Sequence, residues 1–236
     1  MIARPVLRYD IGPFLTYVEE ITGMTVPETN VRSLRDSVTE RLAMLGVSAD
    51  SYFDLIERDA GERELFLNAA TINETYFFRE HRQFMVIRKH IMPELAAAGG
   101  EILLWSATCS SGEEALSLAM IAGELPEAQS RYRVFASDIN TDSLRRLEEG
   151  AYSGNSLRGN GSMFMPLVRR HFHRSGKTWR AGEELLSRVV PVHLNISRPP
   201  FHGIPDKINL ALFRNTLIDM KPDAKMNALH AITRTI

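Results

Sequence analysis

Residues 104–114 read Leu-Trp-Ser-Ala-Thr-Cys-Ser-Ser-Gly-Glu-Glu, and the way this stretch changes texture decides the fold. Glu101-Ile-Leu-Leu-Trp-Ser106 has the length and apolar character of a strand, while apolar residues from Glu113 to Glu124 recur at helical spacing. Between the two lies a run of small residues, which lets a ligand approach the backbone and leaves free N–H groups at the helix start. One glycine is far from a Gly-x-Gly-x-x-Gly fingerprint, so the turn alone is a weak signal. The pattern then repeats, with a strand at Tyr132-Arg-Val-Phe-Ala-Ser137 and a helix over Asp142 to Glu149. Strand, helix, strand, helix implies a parallel sheet with right-handed crossovers, an α/β class. Val189-Val-Pro-Val-His-Leu194 and Ile208-Asn-Leu-Ala-Leu-Phe213 are further strand candidates; Pro191 pushes the first towards an edge or a bulge.

The second strand ends at Ser137-Asp138, and Asp138 lies 25 residues beyond Glu113. An acid at that position commonly accepts hydrogen bonds from ribose hydroxyls. Together with the small-residue turn, it points to an adenosine-type ligand at the carboxyl ends of the strands. The competing role for Asp138 is to cap the turn that follows it.

Working outward, Tyr9 to about Ala70 is helical throughout. Phe14, Tyr17, Val18 and Ile21 form one stripe, and Val31, Leu34, Val38, Leu42 and Leu45 a second. Tyr52, Phe53, Leu55 and Ile56 form a third, and Leu65, Phe66 and Ala69 a fourth. Gly23, Gly46 and Gly61 punctuate them as stops or turns, and Ser48 is placed to cap the third helix. A small helical domain over 1–72, a linker and first helix over 73–100, and a larger domain over 101–236 with an irregular insert at about 153–190 follow from this reading. Residues 158–188 hold seven Lys/Arg against Glu183 and Glu184, a patch that reads as a solvated face because it lacks interleaved aromatics.

With 28 Lys+Arg against 29 Asp+Glu, the formal net charge is −1, which argues against wholesale binding to nucleic acid or to an acidic membrane surface. Cys109 is the single cysteine, so an internal disulfide framework is excluded, no metal site is expected, and a reducing cytoplasmic setting is the simplest reading. Met1-Ile2-Ala3-Arg4-Pro5 does not open a leader peptide, and no apolar run approaches the roughly 18 residues of a spanning helix. The remaining histidines, His171 and His193 among them, read as structural.

Between the two halves stands Thr71-Ile-Asn-Glu-Thr-Tyr-Phe-Phe-Arg-Glu80, in which Asn73, Thr75 and Arg79 flank an apolar run. Read by composition, the aromatics are interdomain core and Arg79 a surface cation. The combination is more specific. Ile72 to Glu80, Trp105 to Glu114, Ala136-Ser-Asp-Ile-Asn140, Glu149-Gly-Ala-Tyr152, Leu157-Arg158 and Arg214-Asn215 resemble, in order and spacing, the chemotaxis receptor methyltransferase (CheR) family. The resemblance covers nearly the whole chain. It implies a helical domain on a Rossmann-like class I methyltransferase domain with a small β subdomain insert, dependent on S-adenosyl-L-methionine and releasing S-adenosyl-L-homocysteine. The implied activity is methylation of glutamate side chains on the cytoplasmic region of methyl-accepting chemoreceptors. By the same resemblance Asn73, Thr75 and Arg79 line the cleft, with Arg79 as the catalytic candidate. Glu113 or Glu114 and Asp138 hold the amino-acid and ribose parts of the cofactor, and Asn195 with Ile196 and Arg214 with Asn215 complete the pocket.

The sequence departs from the family at its fourth strand. Asn209 stands where an aspartate is usual, Phe213 where a cysteine is usual, and Asp219 where a tyrosine near the transferred methyl is usual. A carboxylate at 219 should disfavour an anionic substrate. The chain also ends after a helix from Asp223 to about Thr235, where the family continues into further strands. That ending would expose the fourth strand as an edge, the pattern of a truncated or divergent member. The alternative function is a catalytically impaired cofactor-binding or receptor-docking adaptor of the same fold. Arg32, Arg35 and Arg41 give the second helix a basic side, which the family associates with receptor docking and which reads equally well as a solvated charged face.

Overall fold

Capping chemistry sets the helices of the N-terminal region. The computed structural model describes residues 9–71, 73–125, 131–158 and 161–236; the Met1–Pro5 segment and Ile72 at the head of the aromatic motif lie outside them. Helix α1 (Gly12–Thr22) has a proline in its first turn and ends at Gly23, whose φ of 68° lets its N–H close on the Glu19 carbonyl. Helix α2 (Glu28–Leu45) ends in the same way at Gly46. Helix α3 (Ala49–Arg58) is capped by Ser48, which accepts from the Ser51 N–H, and α4 (Ala60–Ala70) by Asp59, which accepts from the Glu62 N–H. Gly61 therefore sits inside the first turn of α4 and is not a stop; the carboxylate before it supplies the start signal.

The chain divides into two compact units, Met1–Ile72 with Leu217–Lys225, and Asn73–Thr216 with Met226–Ile236. In the first unit Phe14 is the hub: its ring meets Tyr52, Phe53 and Phe66 at centroid distances of 5.5–6.1 Å. Leu34, Val38, Leu42 and Ile56 complete that core. Of the basic side of α2, Arg41 is paired with buried Glu62 (Nη2 to Oε2, 2.7 Å) and Arg35 donates to the Tyr9 carbonyl, while Arg32 is exposed. Asp219 belongs to this unit. Its carbonyl accepts from both the N–H and the hydroxyl of Thr25 (2.8 and 3.1 Å), Met220 bridges Met24, and Lys221 pairs with Glu19.

The second unit opens with α5 (His81–Val86) and α6 (Met92–Ala98), joined by a π-turn over Ile87–Ile91. Its main sheet holds β1 (Ile102–Ser106), β2 (Tyr132–Asp138), β6 (Val189–His193) and β7 (Leu210–Leu212), in the order β6-β2-β1-β7, with every pairing parallel. The connections carry α7 (Glu113–Ala122) after β1 and α8 (Thr141–Glu149) after β2. This is a doubly wound, Rossmann-like α/β arrangement. Pro191 lies on edge strand β6, where its missing N–H leaves no ladder bond unmade. The strand expected over Ile208–Phe213 contracts to Leu210–Leu212, because the Ile208 N–H is used by the Thr235 carbonyl and Asn209 spends its side chain on the Leu103 N–H.

Helix α7 is buried almost all round, from Ala115 to Ala122, beneath a core that includes fully buried Leu104, Val134 and Ala136. Between α8 and β6 the chain forms the small subdomain, which begins at Ala151, slightly before the expected boundary. Strands β3 (Ala151–Ser153), β4 (Phe172–Ser175) and β5 (Thr178–Ala181) make an antiparallel sheet in the order β3-β5-β4. Helices α9 (Met165–His171) and α10 (Glu183–Leu186) flank β4 and β5 in the chain, and α11 (Pro222–Thr233) ends it. Among the described residues no helix is long and apolar enough to cross a membrane.

Candidate functional site

Four parallel strands bring their carboxyl ends together, and each hands over to one of the predicted segments. The turn after β1 is held against its neighbours by backbone: Ala107 N–H donates to Leu212 O (2.8 Å) and Cys109 N–H to Ser137 O (2.9 Å). After β6, Leu194 N–H donates to Asp138 O (2.9 Å), which sets Asn195 and buried Ile196 beside the end of β2. Thr216, just past Arg214 and Asn215, reaches the Thr108 hydroxyl at 2.8 Å.

Asp138 is buried and uses both oxygens: Oδ2 accepts the Ser110 N–H (2.8 Å) and Oδ1 the Asn140 N–H (2.9 Å). The turn-capping role is thus realised, and the same carboxylate also ties the β1 turn to the β2 end. Burial pushes its pKa up against the opposing effect of these N–H donors. Ser110 takes a left-handed φ of 49°, and its buried Oγ has no hydrogen-bond partner among the described residues.

The two glutamates that the sequence left undecided have different surroundings. Glu114 accepts Ser106 Oγ and Arg214 Nε, each at 2.7 Å, so its charge is already countered. Arg214 also donates to Gln83 Oε1 and to the Arg79 carbonyl and lies over the Phe84 ring. Glu113, only 2% exposed, accepts Ser111 Oγ (2.7 Å) and Ser156 Oγ (2.9 Å) and makes no ion pair among the described residues. Burial raises the pKa of both, while their place in the first turn of α7 favours the charged form. Gly112 caps that helix with φ 88°; a Cβ there would clash with the Leu147 side chain. Cys109 is fully buried, with its thiol pushed up by burial and by Asp138, and is no nucleophile.

The aromatic motif is bound into this unit. Phe77 N–H donates to Ser156 O and Phe78 N–H to Ser117 Oγ. Phe77 packs on Tyr152 and Phe172, and Phe78 stacks on Phe164 at 4.1 Å. These rings are core of the second unit, where the compositional reading had an interdomain layer. Arg79 Nη1 donates to the Glu74 carbonyl (2.8 Å); Asn73 and Thr75 are half-buried at the start of the motif.

Among the described residues, the non-glycine positions with positive φ are Phe78, Glu80, Ser110 and Asn215. All four lie in the predicted site segments, a concentration of backbone strain typical of functional sites. Sequence reasoning quoted Ser110 and Tyr152 within motifs without assigning either a role, and did not single out Ser156; the Tyr152 hydroxyl donates to Ser111 O.

Chemically, buried Glu113 and Asp138 and nearly buried Glu114 have one guanidinium, that of Arg214, in ion-pair contact among the described residues, so the turn is electronegative and suits a ligand with a cationic head. The orphan Ser110 hydroxyl beside Asp138 offers a further donor for a polar ligand. Both features fit S-adenosylmethionine, whose amino-acid part carries an ammonium and whose sulfur is a sulfonium.

A family model described as CheR methyltransferase, SAM binding domain, matches residues 73–236. The chain is 32% identical over 189 residues to the chemotaxis protein methyltransferase of Escherichia coli (strain K12), covering 77% of this chain and 63% of that protein, so just under two thirds of that relative is spanned. It is 26% identical over 239 residues to chemotaxis protein methyltransferase 1 of Pseudomonas aeruginosa, covering 96% and 85%. To the probable chemotaxis protein methyltransferase of Rhizobium etli it is 32% identical over 210 residues, covering 83% and 76%. With its parallel sheet, its electronegative turn after β1 and these matches, the chain belongs to the CheR methyltransferase family.

Proposed function

We propose that this protein transfers the methyl group of S-adenosylmethionine to glutamate side chains of chemoreceptors in the cytoplasm. The observation that carries the reading is the cluster of buried Glu113 and Asp138 and nearly buried Glu114 around the turn after β1, with Arg214 the one cation in ion-pair contact with it among the described residues. Glu113, unpaired, takes the ligand's ammonium; Glu114, neutralised by Arg214, holds the strand ends together. Asp138, its carboxylate oriented by the Ser110, Asn140 and Ile139 N–H groups, accepts from the ribose hydroxyls. Asn195 and Ile196 border the ribose and adenine, Asn73 and Thr75 line the cleft, and Arg214 with Asn215 closes its far side. Residues 1–72 carry receptor docking through the basic side of α2, 73–100 bring the cleft-lining motif and the first helix, and 101–236 carry the cofactor site.

The bound cofactor supplies an electrophilic methyl on a sulfonium. The acceptor carboxylate, with an ordinary pKa of about 4.3, is ionised at neutral pH, so no residue has to act as a strong base. The protein's part is alignment and exclusion of water. Arg79 has no carboxylate partner among the described residues and orients the incoming anion without a competing ion pair.

Titration with S-adenosylhomocysteine tests the pocket. Binding by the folded protein that is abolished in Asp138→Ala supports it, and no binding by the folded wild type rejects it. Binding without methyl transfer to a receptor fragment would instead favour the adaptor reading.

A further inference from the structure

The motif that supplies Arg79 also carries an arrangement that this role does not use. Tyr76 has two guanidinium groups beside its ring: the Arg79 Cζ lies 5.8 Å and the Arg158 Cζ 5.2 Å from the ring centroid. Such cations are attracted to an aromatic face, but two of them close to one ring repel each other unless an anion lies near. The anion is Glu74. Its carboxylate oxygen Oε1 accepts Arg158 Nη2 at 2.7 Å, while its backbone carbonyl accepts Arg79 Nη1 at 2.8 Å. One residue thus engages both arginines, with its carboxylate on only one of them.

The cluster is tied to the proposed cofactor pocket by a short chain of contacts. Ser156, two residues before Arg158, gives its hydroxyl to Glu113 (2.9 Å) and its carbonyl to the Phe77 N–H (2.8 Å), next in sequence to Tyr76. The 3₁₀ turn over Gly154–Leu157 therefore fixes Arg158 against the motif, two residues from the serine that contacts the residue assigned to the ammonium. The Glu74 side chain is 70% exposed and that of Arg158 45%. An ion pair so exposed contributes little to stability and exchanges readily.

We infer that Arg158 is a second acceptor-binding arginine and that Glu74 is an intramolecular stand-in for the substrate carboxylate. This rests on the methyltransferase reading of the same site. The incoming glutamate side chain of an acidic peptide displaces the Glu74 carboxylate from Arg158 and is held between Arg158 and Arg79, on either side of its reacting oxygen. Because one carboxylate replaces another, the exchange costs little charge separation. A glutamine side chain cannot repay the loss of the Glu74 pair, so the exchange selects for the ionised acceptor. Arg158 is then a binding residue for the acceptor, and Glu74 sets the threshold for its entry.

The two partners of this ion pair should act in opposite directions, which a structural salt bridge would not do. The experiment is calorimetric binding of a chemoreceptor cytoplasmic fragment, with glutamates at its modification sites, to the full chain saturated with S-adenosylhomocysteine. Arg158→Ala should weaken fragment binding about tenfold, with Arg158→Lys in between. Glu74→Gln should tighten it several-fold, and should have no effect in the Arg158→Ala background. In turnover, Arg158→Ala should raise KM for the fragment far more than it lowers kcat. Affinity for S-adenosylhomocysteine, read in the same samples, should be unchanged and reports an intact fold. If Glu74→Gln and Arg158→Ala shift binding the same way, if neither shifts it, or if the fragment does not bind wild type or Glu74→Gln, the inference is overturned. Should Arg158→Ala not fold, the Glu74→Gln arm decides alone. Opposite shifts in binding without any turnover would leave this inference standing and reject the methyltransferase reading.

Discussion

Glu80 and Asn215, each held at a left-handed φ (57° and 62°), are hydrogen-bonded to each other, Asn215 Nδ2 to Glu80 Oε1 at 3.2 Å. Two strained positions 135 residues apart in sequence thus meet at the mouth of the parallel sheet. Asparagine tolerates this conformation better than most side chains, and a left-handed non-glycine residue costs roughly 1–3 kcal/mol. Asn215→Ala removes both the local tolerance and the hydrogen bond and should destabilise the protein by about 1–2 kcal/mol. Asn215→Gly loses the bond but relieves the backbone, so its urea midpoint should stay close to that of wild type.

Arg214 is the only cation in ion-pair contact with Glu114 among the described residues, and both side chains are nearly buried. Arg214→Met would strand a buried carboxylate and should cost about 3–5 kcal/mol. Glu114→Gln in the same chain should recover a large part of that loss. A double-mutant cycle in denaturant measures the coupling, and independent, additive effects would remove the clamp role.

Gly112 admits no side chain. Gly112→Ala would drive a Cβ into the Leu147 side chain at a φ of 88°, so the turn after β1 must shift. Cofactor affinity should fall at least about tenfold, and thermal stability with it. Leu147→Ala added to Gly112→Ala should restore only part, since the backbone strain remains.

Much of this arrangement was legible in the sequence, for reasons that also mark where reading stopped. The alternation of short apolar runs with helical periodicity from Glu101 onward gives the parallel sheet, because period and length are local properties. Pro191 marks its edge through the missing N–H. Gly61 misled because the start signal of α4 is Asp59, and a glycine inside a first turn looks the same as a stop. The choice between Glu113 and Glu114 could not be made locally, since it depends on Arg214, 100 residues away. Ser156 and Tyr152 complete the site through contacts with Glu113 and Ser111 that no periodicity encodes.

Acidity should act on fold and ligand in opposite directions. Burial raises the folded-state pKa values of Glu113, Glu114 and Asp138 above ordinary carboxylate values. In that window the folded state binds more protons than the unfolded one, so the stabilisation from these groups is fully present below the ordinary carboxylate pKa. It is lost as pH rises through the raised values. Ligand binding needs the ionised forms and should weaken as pH falls through the same raised values. The rise in Tm given by S-adenosylhomocysteine should therefore shrink as pH is lowered from neutral through the raised values. Asp138→Asn should show a smaller pH dependence of Tm in the absence of ligand, and an unchanged dependence would contradict the assignment.

The most direct test of the proposed function is methyl transfer itself. The purified chain, a receptor cytoplasmic fragment and S-adenosylmethionine carrying a labelled methyl group are incubated together, and the fragment is mapped by mass spectrometry. The expected result is base-labile methyl esters confined to glutamate side chains, lost in Asp138→Ala and reduced at least about a hundredfold in Arg79→Ala. A folded protein that binds the cofactor but leaves every glutamate of a bound receptor fragment unmodified would contradict it.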